Sequence, residues 1–403
     1  MTSHPAPPWL SERLELAGGA VSFSTYMDWA LHDPQHGAYG AGQLRVGPRG
    51  DFATSPSLGP DFAALLAPQL AQWLQELGAE QPTAPLALVE TGPGEGELAR
   101  DLAEALVATW PELAARLSLV LVEPNPGMAE RQRHTLAACP LPCRWQSFAQ
   151  LGAAPLRGVV LAHEVLDALA VERIVWDGAL WRRQQVQLHQ DELRLVPGEP
   201  LGPQADAPLT ALGLLPANPQ RSEGWSTELH PGLRPWLTQA AAGLAAGRLL
   251  VIDYALEAWR YYAPQRSSGT LMAYRQQQAS PDPLQDPGHW DLTAHLCIES
   301  LVEAAQASGW SLLGQRRQGE ALLALGLAQR LHGLQQGSGD QLPELLGRRE
   351  ALLRLVDPMA LGDFRWLAFS REQSGLDFAS GSGSGPGCGQ PTPALFLQDP
   401  PLA

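Results

Sequence analysis

The stretch Leu86–Leu98, LALVETGPGEGEL, decides the reading of this chain. A short apolar run (Leu86, Ala87, Leu88, Val89) ends in a carboxylate, Glu90, and breaks into a turn carrying Gly92, Gly94 and Gly96. Helix formers follow at once, from Glu97 to Leu102. Buried strand, glycine turn, helix start is the order in which a backbone can approach a nucleotide-like cofactor closely. The spacing is G-x-G-x-G, not the G-x-G-x-x-G of dinucleotide binders; with Glu90 ahead of it, this favours S-adenosylmethionine over NAD. A glycine turn between strand and helix also occurs with no ligand at all, so the neighbours must decide.

Outward from the turn, the alternation of buried strand and helix continues. Leu117–Val122 ends in Glu123, Gly158–Ala162 in His163-Glu164, and Arg248–Asp253 in Asp253-Tyr254. Short apolar strands separated by helices predict an α/β fold, a parallel sheet covered on both faces. Cys143–Phe148 reads as a further short strand, and Trp310–Arg316 and Phe364–Phe369 as late ones. Between about 171 and 225 the period changes: ERIVWD, LWRRQQVQLH and ELRLVP alternate, with Asp177-Gly178 as a hairpin turn. This is an antiparallel meander inserted in the core. Residues 1–84 read as a helical cap with a long polar loop, Gln35–Ser57, whose Ser24 or Thr25 caps a helix. Leu256–Gly288 reads as a polar connection, Thr293–Ser308 and Gly319–Leu331 as helices. The core extends to 373, and the Gly/Ser/Pro-rich stretch 374–403 as a disordered tail.

Four strands thus end in a carboxylate: Glu90, Glu123, Glu164 and Asp253. In an open parallel sheet these ends line one crevice, where ligands sit. Buried acids need partners, and four at strand ends point to a polar ligand. Glu123 sits where an acid accepts the ribose hydroxyls, and Glu90 faces the amino end of a methionine moiety; for each, an N-cap or a surface loop is the plain alternative. Glu164 and Asp167 are three apart. Together they can grip a guanidinium and aim one nitrogen at a methyl carbon, unless Asp167 merely caps a helix.

The net charge of −15 argues against a nucleic-acid partner. No apolar run approaches the ~20 residues of a membrane helix. Four scattered cysteines form no disulfide framework, no metal-ligand pattern is seen, and the N-terminus has no signal-peptide core. A cytoplasmic location is the expectation.

Spread from Phe23 to Phe369 are FSTYMDWALHDPQHGAYG, GDFATSP (Gly50–Pro56), LVETGPGEGEL, LVEPNPGM, HEVLDAL, VIDYA and GTLMAYRQQQ through GHWDLTAH. In these the chain resembles the MidA-like methyltransferases, whose mitochondrial members assist assembly of respiratory complex I. The resemblance implies a Rossmann-like methyltransferase using S-adenosyl-L-methionine, with a protein arginine, on a respiratory-complex subunit, as the acceptor. It carries Gly92, Gly94 and Gly96 over as the cofactor loop, Glu123 as ribose ligand, and Glu164 and Asp167 as catalytic acids. Thr54 and Ser55 are assigned with Glu90 to the cofactor side; Asp253, Tyr254, Asp291 and His295 to the substrate side. The chain departs from the family pattern at His163 (Asn is usual), Ala170 (Pro), Glu95 (Arg), Ala255 (Gly) and Gln278 (His). These departures spare the glycines and carboxylates and bear on acceptor choice. A small-molecule acceptor and a non-catalytic cofactor-binding assembly factor are the other readings, and oligomeric state is left open.

Overall fold

The computed structural model describes residues 4–44, 47, 50, 54–335, 342–371 and 393–401. Its main layer is a seven-stranded sheet, whose strands alone are numbered here: β1 (Leu86–Thr91), β2 (Leu117–Val122), β3 (Cys143–Trp145), β4 (Leu156–His163), β5 (Leu244–Asp253), β6 (Ser311–Arg317) and β7 (Arg365–Arg371). The order is β3-β2-β1-β4-β5-β7-β6, with β7 antiparallel between β5 and β6 and the central pairs parallel. Strand order reverses between β1 and β4, and the crevice for a ligand opens at their carboxyl ends.

Every residue of β1 is buried because helices cover both faces. On one face Leu88, Leu119 and Leu161 pack with Leu66 and Leu70 of the helix Asp61–Glu80 and with Leu102 of the helix Glu97–Thr109. On the other, Val89, Val160 and Val251 meet the helices Leu233–Ala242 and Ile298–Ala307. The helix Asp61–Glu80, read from sequence as part of the cap, therefore belongs with the large sheet.

The meander is present as Glu172–Trp176, Trp181–His189 and Glu192–Pro200, with Asp177 closing the first hairpin by accepting the Ala179 and Leu180 N–H groups. It is completed by Ser226–Leu229 and by two N-terminal strands, His4–Pro5 and Ala20–Ser22, which the helical-cap reading did not contain. The helix Phe23–His32 is capped by Ser22, whose hydroxyl accepts the Thr25 N–H, and not by Ser24 or Thr25. Inside the expected polar connection lies a small sheet, Met272–Arg275 flanked by Gln278–Ser280 and Asp291–Thr293. Its hairpin turns on Gln276 and Gln277, both at positive φ (49° and 62°), where sequence signals would demand Asn or Gly. Accordingly the helix expected from Thr293 begins at Ile298.

These N-terminal, meander and small-sheet elements share a core of their own, with Leu10, Phe23, Val186, Leu193, Leu271 and Leu292 fully or almost fully buried. The expected helix Gly319–Leu331 is two helices, Gln318–Ala324 and Leu327–Gln335, parted at Gly326 with φ 94°. The end of the tail is ordered, contrary to expectation: Leu395–Leu397 forms a helical turn and Phe396 is wholly buried. The rest of the expected disordered stretch, up to residue 392, lies outside the described residues.

Candidate active site

At the end of β1 the chain enters the turn through Gly92, Gly94 and Gly96, all left-handed at φ 56°, 54° and 86°. Only glycine adopts three such angles without strain. At Gly92 a Cβ would also lie 2.9 Å from Val165. Glu90 is 5% exposed, and its Oε2 has no hydrogen-bond partner. Burial pushes its carboxyl up to about 8. An unpartnered buried acid at the end of a central strand is a group that a bound cation would satisfy.

Glu123 directly follows β2 and is fixed from two sides. The Asn125 N–H donates to its Oε1 at 2.8 Å and the Gln132 amide to its Oε2 at 3.0 Å. The same Gln132 nitrogen donates to the Gly94 carbonyl at 2.9 Å, and its oxygen accepts the Trp145 indole N–H. Gln132 thus ties the glycine turn to the acid beside it; no motif in the sequence announced it.

After β4 the backbone turns sharply, with Glu164 at φ 52°, a strained setting for a residue with a side chain. The Ser55 N–H donates to Glu164, while Glu164 Oε1 accepts no hydrogen bond and lies 3.5 Å from Nδ1 of His163. Asp167 accepts the Thr293 hydroxyl at 2.7 Å. Burial lifts Glu164 well above the carboxylate range and Asp167 to about 6. Asp291 joins them from the small sheet and accepts the Tyr39 hydroxyl. Tyr39, Tyr254 and Tyr274 all feel these acids, which together with burial raise the three phenols. The result is a buried acid pocket, three carboxylates within electrostatic reach of three tyrosines, half of it from each core. Among the described residues these acids do not converge as a metal-ligand set.

Asp253 is fully buried and spent on backbone: its Oδ2 accepts the N–H groups of Leu166 and Asp167 at 3.0 and 3.3 Å, its Oδ1 that of Tyr254 at 2.8 Å. It braces the acid-bearing turn. Ser55, placed on the cofactor side from sequence, lies against Glu164, with its hydroxyl on Gln318 at 3.1 Å; neighbouring Thr54 donates its N–H to Ser57. His295 stands behind the Tyr254 ring, centroids 5.4 Å apart, and burial holds it near 4. His163 fills the wall against the Phe62 edge, neutral with its pKa near 3. Tyr39 and Tyr274 were missed; the HGAYG and MAYRQQQ segments carried them, but nothing in their spacing said that they converge.

The sheet order, the glycine turn, the acid Glu123 tied to it through Gln132 and the orphan carboxyl of Glu90 fit a Rossmann-like methyltransferase that uses S-adenosyl-L-methionine. A model of an S-adenosyl-L-methionine-dependent methyltransferase family matches residues 65–316, and the chain belongs to that family, the MidA-like methyltransferases. A superfamily member from Burkholderia thailandensis, crystallised with S-adenosyl-homocysteine, superposes with a TM-score of 0.79 at 30% identity over 91% of this chain and 92% of that one. The Drosophila melanogaster protein named protein arginine methyltransferase NDUFAF7 homolog, mitochondrial, is 27% identical over 88% of this chain and 82% of its own length. The Rattus norvegicus protein of that name is 26% identical over 94% and 87%. These relatives are named as mitochondrial, which overturns the cytoplasmic expectation. Among the described residues no helix is long and apolar enough to cross a membrane.

Proposed function

We propose that this methyltransferase transfers its methyl group to an arginine side chain of a protein. The observation that carries the reading is the buried grouping of the acids Glu164, Asp167 and Asp291 with Tyr39, Tyr254 and Tyr274 beside them. A guanidinium is flat, cationic and rich in N–H donors; carboxylates match its edge and aromatic rings its face. The relatives named protein arginine methyltransferase support the same acceptor. When bound, S-adenosylmethionine supplies a methyl group already activated on a sulfonium. Gly92, Gly94, Gly96, Glu90 and Glu123 would hold it, the last two at its amino and ribose ends. Glu164 and Asp167 orient one guanidinium nitrogen, so that positioning supplies much of the rate. With its pKa raised by burial to about 6, Asp167 can take the proton that the nitrogen sheds. Asp253 holds the turn that carries both. A respiratory-complex subunit is the acceptor protein that the resemblance suggests.

The test is incubation of lysate, mitochondrial extract included, with enzyme and a labelled methyl donor, followed by acid hydrolysis. Label in methylarginine, lost in Asp167→Asn while S-adenosyl-homocysteine still binds, supports the reading. Label confined to small molecules, or no transfer at all, overturns it.

A further inference from the structure

The acceptor side of this site draws on both cores, and a side chain beside the cofactor acid Glu123 reaches across to the N-terminal one. Asn125 follows Glu123 by two residues. Its N–H donates to Glu123, and its Oδ1 accepts the Met128 N–H at 3.0 Å, capping the helix Pro126–Thr135. Its Nδ2 donates both hydrogens outward, to the carbonyls of Tyr39 at 2.7 Å and Gly40 at 2.5 Å. The hydrogen-bonding capacity of this amide is thus divided between the helix it caps and the segment opposite.

That segment is fastened to the N-terminal core from behind. The N–H of Ala38 donates to Ala30, and those of Tyr39 and Gly40 to Leu31, at 2.8 to 2.9 Å. The fit is close: a Cβ on Gly40 would meet the Asp33 carbonyl oxygen at 2.0 Å. Residues 38–40 therefore move with the helix Phe23–His32 and with the core that holds the Asp291 strand. The Tyr39 hydroxyl then reaches Asp291 in the acid pocket.

We propose that Asn125 is a positioning residue, a clip that seats Tyr39 and Asp291 against the cofactor side, so that a filled ribose site at Glu123 favours the acceptor-competent pocket. Cofactor contact at Glu123 fixes the main chain of Asn125, and the Asn125 amide fixes the Tyr39 carbonyl. Occupancy on one side becomes order on the other. The proposal rests on the reading of the acid pocket as the acceptor site.

Two variants separate the clip from the helix cap. Asn125→Asp keeps a cap oxygen for Met128 but replaces the outward donors by a carboxylate facing two carbonyls. Asn125→Gly leaves the cap nearly as stable and carries neither donor nor charge. In both, S-adenosyl-homocysteine affinity should stay within about threefold of the parent, while the acceptor KM rises about tenfold, the scale of lost hydrogen bonds. Amide hydrogen exchange gives a readout free of turnover. In the parent protein, S-adenosyl-homocysteine slows exchange at residues 38–40; in both variants these amides exchange faster and no longer respond to it. Equal slowing in parent and variants, or an unchanged acceptor KM, overturns the clip. If the parent methylates no arginine, the acceptor reading fails, and the exchange comparison still decides whether the clip exists.

Discussion

The Thr293 hydroxyl donates to Asp167 across 2.7 Å, joining the small sheet to the turn after β4. This bond lowers the Asp167 carboxyl against the burial that lifts it to about 6. Acceptor binding needs the ionised acid, so kcat/KM should rise with pH through about 6. Thr293→Val removes the donor, and the ascending limb should move to higher pH. At pH 7 kcat/KM should fall roughly 10- to 100-fold, the scale of a hydrogen bond to a charged group. A pH–rate profile on an arginine peptide checks it; an unmoved limb removes Thr293 from the role.

Glu90 makes cofactor-free stability depend on pH. Its carboxyl sits near 8 in the fold, against 4.5 when unperturbed. Below that lower value both folded and unfolded forms are protonated, and its contribution is complete. As pH rises toward 8 the unfolded form ionises first, so stability falls across that window. Glu90→Gln should match the parent at pH 5 and exceed it at pH 8 by on the order of 2 kcal/mol. S-adenosyl-homocysteine, whose ammonium can face Glu90, should stabilise the parent more than the variant. Thermal unfolding from pH 5 to 8 decides; parallel curves refute the account.

How much of this was legible in the sequence depends on the range of the forces involved. The strand, turn and helix of Leu86–Leu98 are local, since apolar residues and glycines act through their own backbone, and they appear where the pattern put them. So do Glu123 and Glu164 at the ends of their strands. The bracing bonds of Asp253 were not legible, because a strand-end acid reads alike whether it faces a ligand or three backbone N–H groups. The Met272–Ser280 hairpin escaped because strands of three and four residues carry no period, and its Gln-Gln turn carries no signal. Tyr39, Tyr274 and Asp291 meet only through tertiary packing, which no spacing records.

Phe396 lies in a stretch that composition reads as disordered, yet it is fully buried against Trp73 and Trp366, with ring centroids 6.3 and 5.6 Å away. Its N–H donates to the Gln69 side chain. Burial of this ring, with Ala394 buried and Leu397 packed beside it, fastens the short segment to the large core. Phe396→Ala should cost about 3–5 kcal/mol of stability, the range for emptying such a site. Urea unfolding followed by tryptophan fluorescence measures it. A loss below about 1 kcal/mol would show that the segment contributes no packing.

Gln318 fixes the loop that serves Glu164. It is fully buried; its Nε2 donates to the Ser55 hydroxyl and the Leu355 carbonyl, both at 3.1 Å, and its Oε1 accepts the Trp366 indole N–H at 3.2 Å. Ser55 in turn gives its N–H to Glu164, lowering a carboxyl that burial drives up. Gln318→Leu strands the Trp366 N–H and the Leu355 carbonyl, so stability should drop by about 1–3 kcal/mol. Stability alone would mark only a structural residue. The discriminating expectation is that Gln318→Glu, which keeps an acceptor for Trp366 but loses the donor to Ser55, raises the acceptor KM and leaves S-adenosyl-homocysteine affinity unchanged. Isothermal titration of S-adenosyl-homocysteine beside steady-state kinetics on an arginine peptide separates the two. If cofactor affinity falls and the acceptor KM does not, Ser55 belongs to the cofactor side after all.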